Sequence, residues 1–205
     1  MELKKKVISV VMALTMGLLV GGCSSQSAKP QQKHADNQVV LKQKPIDNLN
    51  SLAKKSYILS ATNSGKAVTQ LSKAQWKKQN GAYALAFPDA KHMIVEKLQD
   101  GKFYYGREYE LLGSPKKYLQ FKQVAYLVSE KAYNLGAKAS RRQFRLTSKS
   151  SLPGLAVSDK LYQSSTYKAN KSVLAYKLYT YKQQVIRDVS TSSSKQMLQQ
   201  YIPQK

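Results

Sequence analysis

The 205-residue chain holds one cysteine, Cys23, two histidines, His34 and His92, one tryptophan and only 11 acidic residues. A single cysteine cannot form an intramolecular disulfide and cannot build a zinc or redox site. Two histidines so far apart in sequence supply too few ligands for a metal centre, so no metal and no cofactor is expected. Neither GxGxxG nor GxxxxGK occurs, which removes the glycine loops that cradle phosphates. No Gly-x-Ser-x-Gly elbow occurs either, which removes the commonest serine-hydrolase signature. The longest apolar run, Val7 to Val20, is broken only by Ser9, Thr15 and Gly17. At about 14 residues it would span roughly 21 Å as a helix, short of a bilayer core of about 30 Å.

What the N-terminus does have is order. Lys4, Lys5 and Lys6 precede the apolar run, giving the charged and apolar regions of an export signal. Val20-Gly21-Gly22-Cys23 closes it: an aliphatic residue, two small residues, then the only cysteine. These residues resemble the lipobox of bacterial lipoproteins. The resemblance implies that the Cys23 thiol receives a diacylglycerol, that cleavage leaves Cys23 as the first residue, and that acyl lipid of the palmitate kind anchors it. The protein is then held on the outer side of the cell membrane. Small side chains at Gly21 and Gly22 let a processing enzyme reach the backbone, and two acyl chains anchor stably where one binds reversibly. Residues 24–36 carry no large apolar side chain and cannot bury enough surface to order themselves. The expected organisation is a signal peptide over 1–22, the lipidated cysteine and a disordered tether over 23–45, and one basic domain over 46–205. About twenty tether residues reach roughly 25 Å. In its lipobox, its Ser/Gln/Lys tether and its lysine- and tyrosine-rich domain, the chain is similar in texture to small surface lipoproteins of Gram-positive lactic-acid bacteria.

Acidic residues are scarce against 34 lysines and arginines, a formal charge of +23. Residues 1–22 carry three lysines and one glutamate, so 31 basic and 10 acidic residues remain after Cys23 is reached. Such an excess speaks to partners rather than fold. Nucleic acid is the usual partner, but an exported protein does not meet intracellular nucleic acid. The anions left are phospholipid headgroups, anionic wall polymers of the teichoic type and extracellular DNA. Lys138, Arg141, Arg142, Arg145 and Lys149 fall within twelve residues and are the candidate anion-binding cluster. On a helix, Arg141 and Arg145 would share a face, as would Lys138 and Arg142, and arginine forks fit phosphate or carboxylate. The 14 tyrosines supply a second reading, a protein-interaction module (an adhesin or an inhibitor) with an exposed tyrosine face. Tyr179 and Tyr181 would share one face of a strand. A third reading, a small exported hydrolase, needs Glu108 and Glu110, about 7 Å apart on a strand, or His92 beside a carboxylate. Lys97 and Arg107 offer those glutamates cross-strand ion pairs instead. The expected function is therefore a non-enzymatic, membrane-anchored surface module that binds anionic envelope polymers or lipid headgroups.

Local signals complete the sequence reading. Two β-prone runs in residues 92–112 flank Asp100-Gly101, the pair that favours a type I′ hairpin. Ser72-Lys73-Ala74-Gln75 reads as a capping box opening a helix that ends near Asn80-Gly81 and carries Trp76 as a packing anchor. Ser114-Pro115 reads as another helix start, and Tyr118, Phe121, Ala125 and Val128 recur at helical spacing over 115–131. A strand over Val124–Val128 is the rival reading. Pro153-Gly154 marks a turn, 172–190 reads as one or two strands, and Ser192 or Ser193 caps a last helix through Tyr201. The sum is an α+β domain: a small antiparallel sheet with two or three packed helices.

Overall fold

A computed structural model describes residues 41–65, 68–114, 118–147, 160–164, 173–189 and 196–204. Cys23, His34, Lys149, Pro115, the Pro153-Gly154 turn and Ser192 and Ser193 lie outside the described residues. The chain forms β1 (Lys55–Gly65), β2 (Lys77–Lys78), β3 (Tyr83–Phe87), β4 (His92–Gln99), β5 (Lys102–Gly113) and β6 (Leu119–Ser129). Two short helices follow, α1 (Glu130–Leu135) and α2 (Lys138–Arg141). Then come β7 (Phe144–Thr147), β8 (Leu161–Ser164), β9 (Val173–Tyr181), β10 (Gln184–Asp188) and β11 (Gln196–Pro203).

The fold is therefore mostly β, with all eleven strands in one antiparallel sheet, and the expected α+β layering is overturned. Three expected helices are the source of the difference. Over 72–80 the chain makes only a 3₁₀ turn at Leu71–Lys73, and Lys77–Lys78 pairs with Ala61–Thr62 of β1. Leu71 is buried in an apolar cluster and the Asn63 amide donates to the Gln75 carbonyl at 2.7 Å, so tertiary contacts hold the segment extended. Over 119–129 the rival strand wins and is longer than its reading. Residues 196–203 are a central strand, paired on both sides by β1 and β10.

The hairpin at Asp100-Gly101 forms as expected. Both turn residues have positive φ, 53° and 74°, as a type I′ turn requires. Lys182 and Gln183, at 49° and 64°, make the same kind of turn between β9 and β10 without a glycine.

Eight strands close on themselves. β1, β3, β4, β5, β6, β9, β10 and β11 pair in that order, and β11 returns to β1. Seven of these eight steps join strands that follow one another along the chain when only these eight are counted, so the body is an up-and-down barrel, whose closure leaves these eight strands paired on both sides. All eight strands contribute to one contiguous apolar cluster: Tyr57, Leu59, Leu85, Phe87, Met93, Tyr109, Leu119, Phe121, Tyr176, Leu178, Val185 and Tyr201. That cluster is the barrel interior. Leu49 and Leu52, just ahead of β1, plug one end of it. Pro45 bridges to Tyr179 and the Ile46 N–H donates to the Leu178 carbonyl at 2.7 Å, sealing the wall beside the plug.

Two further clusters lie on the outer face. Leu41, Leu71, Tyr179, Ile186 and Leu198 pack with Trp76 and Tyr181 outside β9–β11. Ala86, Ile94, Phe103, Leu127 and Leu161 pack outside β3–β6, where β8 adds to the sheet. Trp76 is thus a packing anchor, though not on a helix, and Tyr179 and Tyr181 share a face turned into this packing.

Candidate functional site

The barrel parts at β6. Its first half, Leu119–Lys122, pairs with Val173–Tyr176 of β9, whereas its second half, Tyr126–Ser129, pairs with β8. A bulge at Val124, where Glu108 faces Ala125 and Tyr109 faces Gln123, lets the strand change neighbours. Among the described residues, the inward face of the sheet away from the Leu49–Leu52 plug is only partly buried. Two cross-strand rows run along it. One is Tyr83, Lys97, Tyr105, Val128, Tyr162 and Leu146 across β3, β4, β5, β6, β8 and β7. The next is Leu85, Val95, Arg107, Tyr126, Ser164 and Phe144. The first row is half-buried in its middle and open at its ends, with Tyr83 46% and Leu146 61% exposed.

Cations sit on the rings of this face. Lys97 Nζ lies 5.8 Å from the centre of the Tyr105 ring, and the Arg107 guanidinium 5.4 Å from that of Tyr126. Tyr162 stacks flat on Tyr133 of α1 at 3.9 Å and 4°, and the Arg141 guanidinium stands 6.0 Å from the Tyr133 ring. Cation–π contacts of this kind each contribute about 0.5–1 kcal/mol where solvent reaches them. They also hold cations in place for a ligand.

Deeper, the face meets the barrel interior. The Arg187 guanidinium of β10 lies 4.1 Å above the Tyr176 ring and reaches the Tyr201 hydroxyl. Tyr176 packs 6.1 Å from Tyr109, centre to centre, and Arg107 reaches the Tyr109 hydroxyl. Burial, with Tyr176 adding to it and Arg107 opposing it, pushes the Tyr109 hydroxyl up to about 12. Burial also raises Tyr201, against the pull of Arg187. These phenols stay protonated, and Tyr201 donates to Gln199 Oε1 at 2.9 Å. Gln123, the register partner of Tyr109, is 5% exposed, and its side-chain Nε2 has no hydrogen-bond partner among the described residues. An unused donor thus stands beside Tyr109.

The described members of the expected basic cluster do not share one helix. Lys138 and Arg141 lie on α2, Arg142 follows it and Arg145 lies on β7, so four-residue α2 cannot give Arg141 and Arg145 a common helical face. Arg145 Nη1 donates to the carbonyls of Arg142 and Phe144 at 2.6 and 3.0 Å, turned back on its own backbone. Only Arg141 reaches toward the open face, through Tyr133.

The residues of the hydrolase reading share the outer face of the β4–β5 hairpin but not one environment. Glu108 is 2% exposed and accepts from Gln163 Nε2 at 3.4 Å, while Glu110 is exposed. His92 stands opposite Glu110 and engages Asp89, Nδ1 to Oδ2 at 2.8 Å. Side-chain and backbone hydrogen bonds and the charge of His92 together hold Asp89 below the usual carboxylate range, outweighing its burial, which is the largest single influence and acts upward. Among the described residues no three His, Cys, Asp or Glu side chains converge as metal ligands would.

Glu96 was not singled out in the sequence. It is 1% exposed between Ala84 and Gly106 on the outer face, and neither carboxyl oxygen has a partner among the described residues. Burial pushes it up to about 8, so it is mostly neutral at pH 7. Its signal was present: Glu96 alternates in phase with Ile94 and Leu98, the apolar positions of β4. Arg107 had a signal too, since Tyr105, Arg107 and Tyr109 alternate onto one face of β5. Arg187 follows Val185 in the same way on β10.

Compared with protein-family models, curated proteins and solved structures, the chain matches none.

Proposed function

We propose that this chain is a lipid-anchored surface protein, attached through Cys23 to the outer side of the cell membrane, whose barrel binds anionic envelope polymers without catalysing a reaction. The observation that supports this best is the six-strand face that carries Lys97 and Arg107 with Tyr83, Tyr105, Tyr126 and Tyr162, beside which Tyr133 of α1 stacks on Tyr162 and Arg141 of α2 stands over Tyr133. Neighbouring strands are about 4.8 Å apart, so six strands offer a track of roughly 24 Å. An anionic polymer with sugar or polyol units could lay its rings on the tyrosines and its charges on the cations. The surplus of 34 basic over 11 acidic residues steers such a ligand from a distance.

A second reading, protein–protein interaction through the same face, draws on the exposed large apolar residues at its ends, Tyr83 and Leu146. Salt separates the two. The full chain, purified in mild detergent, is titrated onto purified cell walls with and without their anionic polymers at rising ionic strength. Binding that requires the polymer and falls steeply with salt is the expected result. Binding that ignores both salt and polymer replaces this reading with the protein partner, and absence of binding at low salt refutes it.

A further inference from the structure

We propose that the floor of the barrel opening is a binding site for one phosphate group, presented by the end of a ligand. The inference rests on the anion-binding reading above and names the chemistry of its deepest point.

Three observations carry it. First, two guanidiniums converge on one pair of tyrosines from different walls: Arg187 of β10 stacks on Tyr176, and Arg107 of β5 reaches the Tyr109 hydroxyl. Second, the contacts of Arg187 include the Tyr176 ring and the Tyr201 hydroxyl, neither of which carries a charge that would neutralise it. A cation withdrawn from bulk water is favoured when an anion joins it. Third, Gln123 of β6 presents a buried amide donor without an acceptor next to Tyr109. A buried donor left without an acceptor is rare in a native fold and calls for an explanation; an acceptor-rich ligand supplies one.

The arrangement favours phosphate over carboxylate. Donors stand on three strands, Arg107 on β5, Gln123 on β6 and Arg187 on β10. A planar carboxylate offers two oxygens in one plane, whereas a phosphate monoester offers three in a pyramid. It also carries close to two negative charges at neutral pH, so guanidinium groups attract it more strongly than a carboxylate. The tyrosines above the floor would hold the polyol or sugar attached to that phosphate. A ligand would therefore enter end first, with the remainder of its length along the open face.

The test is thermal unfolding of the full chain in mild detergent, with inorganic phosphate, glycerol phosphate or phosphatidic-acid vesicles added against sodium chloride of equal ionic strength. A ligand that binds the folded state raises the midpoint. We expect phosphate and glycerol phosphate to raise it where chloride does not, and Arg187→Gln to weaken the response at least tenfold in concentration. Stabilisation by free phosphate assigns the site to soluble or polymer-end phosphate, and stabilisation only by phosphatidic-acid vesicles assigns it to a headgroup. Because Arg187 also packs on Tyr176, its loss could unfold the chain. Gln123→Glu is therefore the second variant, replacing the orphan donor with a competing carboxylate, and it should abolish the response while Arg145→Gln leaves it intact. If no phosphate source exceeds chloride, or if both site variants respond like the parent, the floor is not a phosphate site. Wall-polymer binding that persists in that case leaves the anion-binding reading standing alone; loss of both removes the two together.

Discussion

Glu96 offers a quantitative test of the structure, because the fold buries a carboxyl that nothing solvates. Among the described residues both oxygens lack partners, and the neighbours across the strands are Ala84 and Gly106. Burial is the cause of its shift, with no charge opposing it. Burial therefore raises Glu96 from 4.5 to about 8. Between those values the folded chain holds a proton that the unfolded chain has released, so stability falls as pH rises. The stabilising contribution is complete below 4.5 and gone once the pH has passed about 8. Each pH unit in that window is worth about 1.4 kcal/mol, so the full swing is on the order of 5 kcal/mol. Glu96→Gln keeps the shape and removes the titration. Urea unfolding of both proteins at pH 5, 7 and 9 isolates the effect, since other titrating groups cancel in the difference. The two should agree within about 1 kcal/mol at pH 5, and the variant should be the more stable by several kcal/mol at pH 9. Parallel pH profiles would refute the reasoning, because they would mean that water or a partner solvates the carboxylate in the folded chain.

Further predictions concern single contacts. A Cβ at Gly106 would sit 3.0 Å from both Ile94 Cγ2 and Phe103 Cε2 and 3.2 Å from the Val95 carbonyl oxygen. Gly106→Ala should therefore destabilise by about 1–3 kcal/mol in chemical denaturation, the backbone oxygen being the neighbour least able to move. Ser129 caps α1 by accepting from the Ala132 N–H at 3.2 Å. Ser129→Ala should cost about 1 kcal/mol and raise amide exchange within residues 130–135 more than elsewhere. Phe121→Ala removes a fully buried ring that meets Tyr176 edge-on at 5.4 Å, and it should destabilise by about 3–5 kcal/mol. Cys23→Ala should move the protein from the membrane fraction of fractionated cells to the soluble one; a membrane-bound variant would refute the anchor.

The candidate site was only half legible. That tyrosines and cations would interleave was visible in Tyr105, Arg107 and Tyr109, whose alternation alone puts them on one face. Which tyrosines would be buried was not. Tyr109, Tyr176 and Tyr201 enter the barrel because their strands close around them, while Tyr105, Tyr126 and Tyr162 stay reachable because β6 leaves β9 for β8. The basic residues 138–145 are conspicuous in sequence, yet they end on a four-residue helix and a short strand. Arg187, which stacks on Tyr176, lies between Ile186 and Asp188 in sequence, where no cluster of like charge marks it.

Short stretches of sequence were enough for the local devices: the Asp100-Gly101 turn, the alternation of β4 and β5 and the charge surplus. These depend on neighbours a few residues apart, so their physics is complete within a short window. Tertiary structure alone decided the rest. The segment 119–129 carries both spacings, Tyr118, Phe121, Ala125 and Val128 for a helix and Leu119, Phe121, Leu127 and Ser129 for a strand. The strand prevails because its two halves bury opposite faces, first in the barrel and then, past the bulge at Val124, in the outer cluster. Likewise the glutamine-rich Gln196–Pro203 becomes a central strand because Tyr57 lies ready to pair with Pro203 and Val185 with Tyr201. Partners so distant along the chain satisfy backbone groups that a helix would have satisfied alone, and no short window of sequence contains them.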